Sequence, residues 1–275
     1  MRVSDSKSAE SRSGDDAREG RRGVAARTPF TIAIPVYNEE AVLVPNTERL
    51  LAYLDGLGRE YEVLIGSNGS TDATTALGAD LSRRFPPVRF FHIPARGVGL
   101  AFRRFVDDAR HPLLVSVDMD LSVELRFIGE ALELLETHDI VVGSKKMGNQ
   151  ERSWLRKAGS DMFLRAVRVL LGITFDDYSL AAKAYRLETL RRFADRIGAG
   201  SSYVLEICYL TQRSGGRVIQ IPVSCEDWRR SRFNLLQEAF YKYEKLVRFW
   251  LRVRQMEREA RKASAPALRG RRSGG

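Results

Sequence analysis

The fold is decided by the stretch Leu114-Val115-Ser116-Val117-Asp118-Met119-Asp120-Leu121-Ser122. An apolar, β-branched run ends in two carboxylates one residue apart, so we expect a buried strand that delivers Asp118 and Asp120 to the edge of a sheet. Such a pair suits Mg²⁺ or Mn²⁺, because these ions prefer oxygen ligands and keep positions open for phosphate oxygens. Most Asp-x-Asp pairs, however, cap a helix or lie solvated in a turn. The metal hypothesis therefore depends on the neighbouring segments.

Strands and helices alternate on both sides of this stretch. The predicted strands are Phe30–Val36, Tyr61–Ser67, Val88–Ile93, Leu113–Asp118 and Asp139–Gly143. The predicted helices run from Tyr37 to about Leu57, from the Asn68–Asp72 turn to Phe85, over Val98–Ala109 and over Glu124–Thr137. This order predicts an α/β fold, a doubly wound and mostly parallel sheet with helices on both faces. Ligands of such sheets bind beyond the carboxyl ends of the strands, where three tips should meet: Val36–Glu39, Ser67–Asp72 and Asp118–Ser122.

The pattern loosens after Gly143. It predicts an amphipathic helix over Leu155–Leu171, an extended segment over Phe175–Tyr185, a helix over Tyr203–Ser214, a strand over Arg217–Val223 and a long helix from Asn234 to about Lys262. We divide the chain into a disordered tail at 1–28, one domain at 29–233, a basic amphipathic helix at 234–262 and a disordered basic tail at 263–275.

Charge and composition narrow the class of protein. The net charge is +10, and residues 229–275 carry 14 basic and 4 acidic groups, so this stretch should contact an anionic partner or be a solvated helix and tail. Cys208 and Cys225 fit neither a disulfide framework nor zinc spacing. No stretch reaches the roughly 18 uncharged apolar residues of a spanning helix, and the N-terminus has no apolar signal core. We expect a cytoplasmic protein that lacks a nucleic-acid-binding motif.

Three motifs together resemble the family-2 glycosyltransferases of GT-A fold. They are Ile34–Glu40, Gly69–Thr74 and the Asp118-x-Asp120 pair, each at a predicted strand end. The resemblance implies that Asp118 and Asp120 hold Mg²⁺ or Mn²⁺ against the diphosphate of a nucleotide-sugar, with Ser122 where some relatives have a third ligand. It also implies a set of substrate-binding residues: Pro35, Tyr37, Glu39, Ser67, Asn68, Gly69, Ser70 and Asp72.

Later motifs resemble the dolichol-phosphate mannose synthase branch, whose acceptor is a polyprenyl phosphate. They are Arg96–Ala101, Asp118–Ser122, Val142–Lys145, Trp154–Ser160 and Lys183–Tyr185. By this resemblance Lys145, Arg156 and Ser160 contact the acceptor phosphate, while Arg229 and Arg232 lie near the donor diphosphate. It adds Gly97, Gly99, Met119 and Lys183 to the substrate-binding set, and the catalytic set becomes Asp118, Asp120, Lys145, Arg156, Ser160 and Arg229.

The sequence departs from the family pattern at several positions, among them Leu180–Ala182 in place of a more polar, glycine-containing stretch, and several residues keep structural alternatives. Ser67-Asn68 replaces an acidic pair that contacts the nucleoside, and Lys145 replaces an arginine. Gly97 and Gly99 could simply form a turn, and Arg156 could belong to a solvated helical turn. Glu206 could be a paired core carboxylate, Arg229 and Arg232 could belong to the basic tail, and His92, His111 and His138 are interpreted as structural.

The predicted function is transfer of a hexose, mannose or glucose, from GDP-mannose or UDP-glucose to a polyprenyl or dolichyl phosphate, with inversion and a divalent cation. Two alternatives remain open: a soluble family-2 enzyme with a non-lipid acceptor, and a non-catalytic sugar-nucleotide-binding protein. Two apolar stripes could place the enzyme on the cytoplasmic membrane face or could pack on a core. They are Phe163, Leu164, Val167, Leu170 and Leu171, and Phe240, Tyr243, Val247 and Trp250.

Overall fold

The structure, a computed structural model, describes residues 27–144, 154–173, 180–200, 203–225, 243–255 and 258. The strands are β1 Phe30–Val36, β2 Tyr61–Asn68, β3 Val88–Ile93, β4 Leu113–Ser116, β5 Ile140–Ser144, β6 Lys183–Arg186 and β7 Val218–Pro222. The helices are α1 Glu40–Asp55, α2 Thr74–Arg84, α3 Val98–Asp108, α4 Arg126–Leu134, α5 Trp154–Leu171, α6 Leu187–Arg192, α7 Tyr203–Arg213 and α8, residues 243–255. A 3₁₀ turn at Ala194–Arg196 follows α6.

The strands form one mixed sheet in the order β3-β2-β1-β4-β6-β5-β7. β1 runs parallel to both β2 and β4, and Ala33 pairs with Ser116. β6 lies antiparallel between β4 and β5, so that Lys183 pairs with Ser116 on one side and Val142 on the other. The start of β6 therefore lies at the same edge as the ends of β1, β2, β4 and β5. The predicted mostly parallel α/β sheet is confirmed.

Alternate residues of the strands pack into two separate cores, one on each face of the sheet. In β1, Ile32 and Ile34 belong to the first core and Ala33 to the second, as the two-residue repeat of a strand requires. The first core is closed by α1, α2 and α4, and the second by α3, α5, α6, α7 and α8. Because both faces are covered, the central strands are apolar on both sides.

An ion pair joins α8 to α7. The side chain of Glu206 is 7% exposed, and its Oε1 accepts a hydrogen bond from Arg252 Nη2 at 2.6 Å. Burial raises the pKa of Glu206, although the Arg252 charge opposes that rise. The interpretation of Glu206 as a paired core carboxylate is confirmed.

The structure differs from the sequence prediction at several boundaries. α1 begins at Glu40 rather than Tyr37, because Asn38 has a left-handed φ of 52° that a helix does not accommodate. The short helix α6 and the antiparallel direction of β6 were not predicted. Residues 1–26, 226–242 and 259–275 hold most of the predicted tails and the start of the predicted last helix, and they lie outside the described residues.

Candidate functional site

Three chain tips lie at one edge of the sheet, which we call the carboxyl edge: Val36–Glu39, Ser67–Asp72 and Asp118–Ser122. The first two tips follow paired strands, because Val36 and Ser67 are the register partners at the ends of β1 and β2. The third follows β4, where Val117 N–H still donates to Ala33 O at 3.2 Å. The edge predicted from the strand order is therefore present.

The third tip, which we call the aspartate loop (Asp118–Ser122), presents two carboxylates. Asp118 and Asp120 are half-buried, whereas Met119 between them is 2% exposed and packs into the first core. Asp118 O accepts from Leu121 N–H and Asp120 Oδ1 accepts from Ser122 N–H, both at 3.1 Å. Leu121 has a left-handed φ of 49°, which closes the turn. Met119 thus contributes to the loop through its backbone, and its side chain serves the core.

A side chain of α1 fixes the middle of this loop. Asn46 Nδ2 donates to Met119 O at 2.9 Å, although the two residues are 73 positions apart. An asparagine in a helix interior has no intrinsic helical advantage. Its amide here ties the peptide between the two aspartates to the helix that covers the first core. Asn46 was not among the predicted site residues.

An aromatic pair in the second core includes a tyrosine that is influenced by the charge of Asp118. Tyr203, the first residue of α7, is 7% exposed and stacks on Phe102 of α3 with ring centroids 4.6 Å apart. Burial raises the pKa of Tyr203, and the nearby Asp118 carboxylate adds to that rise. Asp118 therefore has an uncharged, buried phenol near its carboxylate.

The aspartate loop fits a divalent cation that takes its other ligands from a substrate. No group of three or more His, Cys, Asp or Glu side chains suited to hold a metal occurs among the described residues. Two carboxylates are the number that Mg²⁺ uses when phosphate oxygens and water complete its shell. Ser122 lies beside the pair, with its backbone N–H on Asp120. The loop is thus suited to an ion shared with a diphosphate.

The first two tips are clamped together by polar contacts. Asn38 N–H donates to Ser70 Oγ at 3.2 Å, and Thr71 N–H donates back to Asn38 Oδ1 at 2.8 Å. Asp72 accepts from Glu40 N–H at 3.3 Å and from Thr74 N–H at 3.0 Å. These contacts cap α1 and α2 and define the shape of the carboxyl edge.

The clamp also explains the charge state of Asp72. Burial alone would raise the pKa of this carboxyl, but the hydrogen bonds from Thr74 and Glu40 lower it below its usual range. The side chain is therefore ionised and engaged within the fold. Its described contacts assign it to holding the edge.

Ser67 and Asn68, which stand in place of an acidic pair, are both buried. Asn68 Nδ2 donates to Val36 O at 2.9 Å, and its Oδ1 accepts from Gly97 N–H at 3.2 Å. Asn68 thus links the end of β1 to the start of α3. Ser67 Oγ donates to Ser70 Oγ at 2.9 Å and lies 3.0 Å from Nδ1 of His92, an exposed residue of β3 that had been interpreted as structural.

The glycines at this edge serve close approaches of the backbone. Gly69 has a φ of +75°, a conformation that other residues rarely adopt, and donates to Ile93 O at 2.8 Å. A Cβ at Gly99 would lie 1.8 Å from Gly198 O, and Gly99 N–H already donates to Ala199 O at 2.9 Å. Gly97 N–H is used by Asn68. Both glycines of the 97–99 segment therefore make contacts within the protein.

An arginine that the sequence analysis left out of the site lies across the first tip. The Arg96 guanidinium carbon is 4.1 Å from the ring centroid of Tyr37, which is a cation–π distance. Arg96 is exposed, and Tyr37 is half-buried, as are Pro35 and Glu39 in the same tip. This stacking positions a positive charge at the carboxyl edge, where it can face an anionic ligand.

The remaining predicted residues are placed as follows. Lys183 is 3% exposed at the start of β6. Burial raises the pKa of the Cys208 thiol to about 12, and the nearby Lys183 ammonium opposes that rise. Lys145, Arg229 and Arg232 lie outside the described residues, as do the side chains of Arg156 and Ser160.

The apolar stripes of α5 and α8 mostly face the second core. The buried residues are Leu164, Val167 and Leu171 of α5 and Leu246, Phe249 and Val253 of α8. Of the stripe proposed for α8, Trp250 packs against the second core, Val247 is exposed, and Phe240 lies outside the described residues. Both helices also expose large apolar side chains: Met162, Val169, Val247 and Leu251. Among the described residues, no helix combines the length and apolar character needed to span a bilayer.

Comparison with known proteins agrees with this geometry. Residues 31–193 match the sequence pattern of glycosyl transferase family 2. Glycosyltransferase AglD of Haloferax volcanii is 26% identical over 261 residues, which cover 91% of this chain and 41% of that protein. Undecaprenyl-phosphate 4-deoxy-4-formamido-L-arabinose transferase of Aeromonas hydrophila is 30% identical over 158 residues, covering 57% of this chain and 48% of that protein. The chain spans less than half the length of these two relatives.

A shorter relative and a solved structure complete the comparison. Undecaprenyl-phosphate mannosyltransferase of Micrococcus luteus is 27% identical over 200 residues, covering 70% of this chain and 81% of that protein. Glucosyl-3-phosphoglycerate synthase of Mycobacterium tuberculosis, solved with Mn²⁺, uridine-diphosphate-glucose and phosphoglyceric acid, aligns with a TM-score of 0.59 at 17% identity. That alignment covers 81% of this chain and 80% of the other, and it shows the GT-A fold.

Proposed function

Because the chain belongs to glycosyl transferase family 2, we propose that it transfers a hexose, mannose or glucose, from a nucleotide-diphospho-sugar to a polyprenyl phosphate. One observation carries the proposal: the two half-buried carboxylates of the aspartate loop lie at the edge where the tips of β1, β2 and β4 meet. The lipid acceptor is supported by the names of relatives that use undecaprenyl phosphate. GDP-mannose and UDP-glucose are the candidate donors.

The aspartate loop would supply the metal site of the reaction. Asp118 and Asp120 would hold Mg²⁺ or Mn²⁺, with Ser122 beside them. A cation held there would neutralise charge on the departing nucleoside diphosphate. The Asn46 amide donates at 2.9 Å to the carbonyl oxygen of Met119 between the two ligands, a contact that would hold their spacing when a ligand binds. A structural relative solved with Mn²⁺ supports a divalent cation.

The chemical step requires little proton transfer. An oxygen of the acceptor phosphate attacks the anomeric carbon as its bond to the diphosphate oxygen breaks, and that oxygen leaves with the electron pair. Because a phosphate monoester is already anionic at neutral pH, the protein's task is to position two anions and balance their charge. A single displacement of this kind inverts the anomeric carbon.

Basic side chains would balance those anions. Arg96, stacked on Tyr37, is positioned to meet the donor phosphates. Lys145 follows directly after Ser144, the last residue of β5, and is proposed to contact the acceptor phosphate together with Arg156 and Ser160. Arg229 and Arg232 are proposed for the donor diphosphate. We assign Pro35, Glu39, Ser67, Ser70 and Lys183 to substrate binding at the carboxyl edge.

We propose that the exposed apolar residues of α5 and α8 touch a membrane surface. Met162, Val169, Val247 and Leu251 are 62%, 82%, 45% and 54% exposed. Exposed arginines lie on the same helices, at Arg165, Arg168 and Arg248. Apolar side chains flanked by basic ones can lie at the headgroup level of an anionic bilayer.

The second candidate function is transfer to a non-lipid acceptor by a soluble enzyme. The observation that favours it is the burial of Leu164, Val167 and Leu171 of α5 in the second core, at 9%, 0% and 9% exposure, which removes much of the α5 face expected for membrane contact. An acceptor such as 3-phosphoglycerate would have the same phosphate chemistry.

A transfer assay separates these functions. Radiolabelled GDP-mannose and UDP-glucose are each offered with a short polyprenyl phosphate or 3-phosphoglycerate, in Mg²⁺, Mn²⁺ or EDTA. Metal-dependent label in the lipid phase, abolished by Asp118→Ala and by Asp120→Ala but retained by Asp107→Ala on the exposed side of α3, supports the lipid acceptor. Label only in phosphoglycerate supports the second function. Donor binding without transfer to either acceptor, unchanged by Asp120→Ala, would contradict both.

A further inference from the structure

A cavity lies at the edge of the sheet opposite the carboxyl edge. Its volume is about 610 Å³, and its walls include Leu113, the first residue of β4, and Arg186, the last residue of β6, which pair with each other. We call it the amino-edge cavity. Asp118 follows Leu113 by five residues of nearly extended chain, so the cavity and the aspartate loop are separated by about 16 Å along one strand. The cavity is therefore distinct from the proposed catalytic site.

Four arginines from four segments surround this cavity. Arg59 comes from the α1–β2 connection, Arg110 from the α3–β4 connection, Arg186 from β6 and Arg191 from α6. None of the ion pairs between described residues involves any of these four guanidinium groups. Their positive charges are thus collected about one cavity without a directly paired carboxylate in the described part of the chain.

Backbone carbonyls hold two of these guanidiniums in place. Arg186 donates from Nε to His138 O at 3.3 Å and from Nη2 to Glu136 O at 2.9 Å. Arg191 donates from Nη2 to Ala109 O at 3.1 Å. A guanidinium has five N–H donors, so each group keeps donors for a ligand. Because the partners are neutral carbonyls, the anchoring fixes the geometry and leaves the positive charge uncompensated.

The rest of the lining defines the ligand further. Glu136 and Glu188 also line the cavity, so the four arginines exceed the carboxylates by two charges. Buried leucines supply an apolar wall, including Leu132 and Leu187 at 0% and 3% exposure. A cavity of this size, with an apolar wall and convergent polar groups, is typical of a small-molecule site.

We propose that the amino-edge cavity binds an organic phosphate. A phosphate dianion would neutralise the excess of two charges and can accept paired hydrogen bonds from a guanidinium fork, a geometry for which arginine is better suited than lysine. The organic portion would lie on the leucine wall. Like charges about one cavity repel one another, so a bound dianion should also stabilise the fold.

Calorimetric titration tests the proposal with phenyl phosphate, inorganic phosphate and phenol as probes. We expect saturable binding of phenyl phosphate with a dissociation constant at or below about 1 mM, weaker binding of inorganic phosphate and none of phenol. The double variant Arg59→Gln/Arg110→Gln should bind phenyl phosphate at least about tenfold more weakly, since two charge-assisted contacts are lost. Arg103→Gln, which removes one exposed charge from α3, should bind as the parent protein does.

Two further arms locate the site and its natural ligand. Asp118→Ala should leave phenyl phosphate binding unchanged, because that residue lies at the other edge. Dihexanoylphosphatidate that binds more tightly than phenyl phosphate would identify a lipid headgroup, whereas weaker binding would identify a soluble phosphate. Thermal unfolding checks that each variant is folded. We expect the double variant to fold, because Arg110 donates to Glu62 Oε1 through its backbone N–H at 2.7 Å, and substitution of the side chain retains that hydrogen bond. Equal binding by the double variant, or no saturable binding up to about 10 mM, overturns the proposal.

Discussion

The aspartate loop at one edge of the sheet and the amino-edge cavity at the other gather charges of opposite sign and hold them in different ways. At the carboxyl edge, Asp118 and Asp120 lie on a turn held by backbone and amide hydrogen bonds. At the amino edge, arginines surround a cavity and are anchored on carbonyl oxygens, as Arg186 is on Glu136 O. β4 connects the two edges directly. The aspartate loop therefore has an excess of negative charge and the amino-edge cavity an excess of positive charge, and a ligand of opposite sign would neutralise either one.

The comparison separates the groups that carry charge from the groups that hold shape. Neutral amides hold the carboxyl edge. Their hydrogen bonds join Asn38 to Thr71, Asn46 to Met119 and Asn68 to Gly97, which are 33, 73 and 29 residues apart in the sequence. Such bonds fix geometry without neutralising a carboxylate. At position 46, the one of the three that contacts the aspartate loop, a cationic side chain would have compensated the aspartates and weakened a cation site. The carboxylates of Asp118 and Asp120 therefore remain available to bind a cation.

The largest effect is expected from Asp118→Asn, which removes one charge and keeps the volume. Transfer should fall by about 10³-fold, because a metal ligand worth several kcal/mol is lost. The thermal midpoint should stay the same or rise, since repulsion between Asp118 and Asp120 is relieved. Radiolabel transfer and calorimetry measure the two quantities. A lowered midpoint would show that the Asp118 carboxylate stabilises the folded protein. It would contradict the view that the charged groups of this edge are distinct from the groups that hold its shape.

A backbone contact of the carboxyl edge should give the next largest effect. Gly99→Ala would place a methyl group 1.8 Å from Gly198 O, so α3 or the 198–200 loop must move. We expect the free energy of unfolding in urea to fall by about 3 kcal/mol, the upper range for overpacking. Gly159→Ala in α5 is the matched control, because nothing lies within 4 Å of the added atom. It should stabilise the helix by about 0.5–1 kcal/mol. Equal losses in both variants would show that the close approach does not matter.

The sequence predicted the sheet and the position of the carboxyl edge because both follow from local patterns. Apolar β-branched runs indicated the strands, and parallel strands deliver their tips to one edge. The antiparallel direction of β6 was not predicted, because a four-residue run such as Lys183–Arg186 does not indicate which way the strand runs in the sheet. The close approach of Gly99 to Gly198 and Ala199 could not be predicted, because a glycine that admits a phosphate looks the same in sequence as one that admits another backbone.

The contacts that tune the site could not be predicted for a different reason. Asn46 donates a hydrogen bond to Met119, which lies 73 residues away in the sequence. Arg96, in the β3–α3 connection, stacks on Tyr37, in the β1–α1 connection. No periodicity links such pairs, so only the folded arrangement reveals them. The four arginines of the amino-edge cavity are likewise dispersed over residues 59–191 and form no motif.

Asn46 offers a subtler test of the carboxyl edge. Asn46→Leu removes the donor to Met119 O and leaves that carbonyl without the bond, while the side-chain volume changes little. We expect the concentration of Mn²⁺ for half-maximal transfer to rise about tenfold, since one hydrogen bond of about 1 kcal/mol or more positions both ligands. The maximal rate at saturating Mn²⁺ should fall less. Arg49→Ala on the exposed side of α1 should change neither quantity. A fall in rate without any change in the Mn²⁺ requirement would assign Asn46 to another task.

The smallest effect is expected at the amino edge, from Glu62→Gln. Burial would raise the pKa of Glu62, but hydrogen bonds from Arg110 N–H, Arg89 and Thr31 lower it below its usual range. The unfolded chain therefore binds this proton more readily, so stability is fully present above about pH 4.3 and is lost as the pH falls through the folded pKa.

Glutamine cannot bind that proton, so the variant should lose stability less steeply below about pH 4, by at most about 1.4 kcal/mol per pH unit. Urea unfolding between pH 3 and pH 6 measures the slope, and Glu60→Gln, at an exposed neighbouring position, provides the control. If Glu62→Gln keeps the parental slope, the Glu62 carboxylate does not hold the Arg110 segment in its charged form. The amino edge would then rely on its carbonyl anchors alone, and its contrast with the carboxyl edge would become sharper.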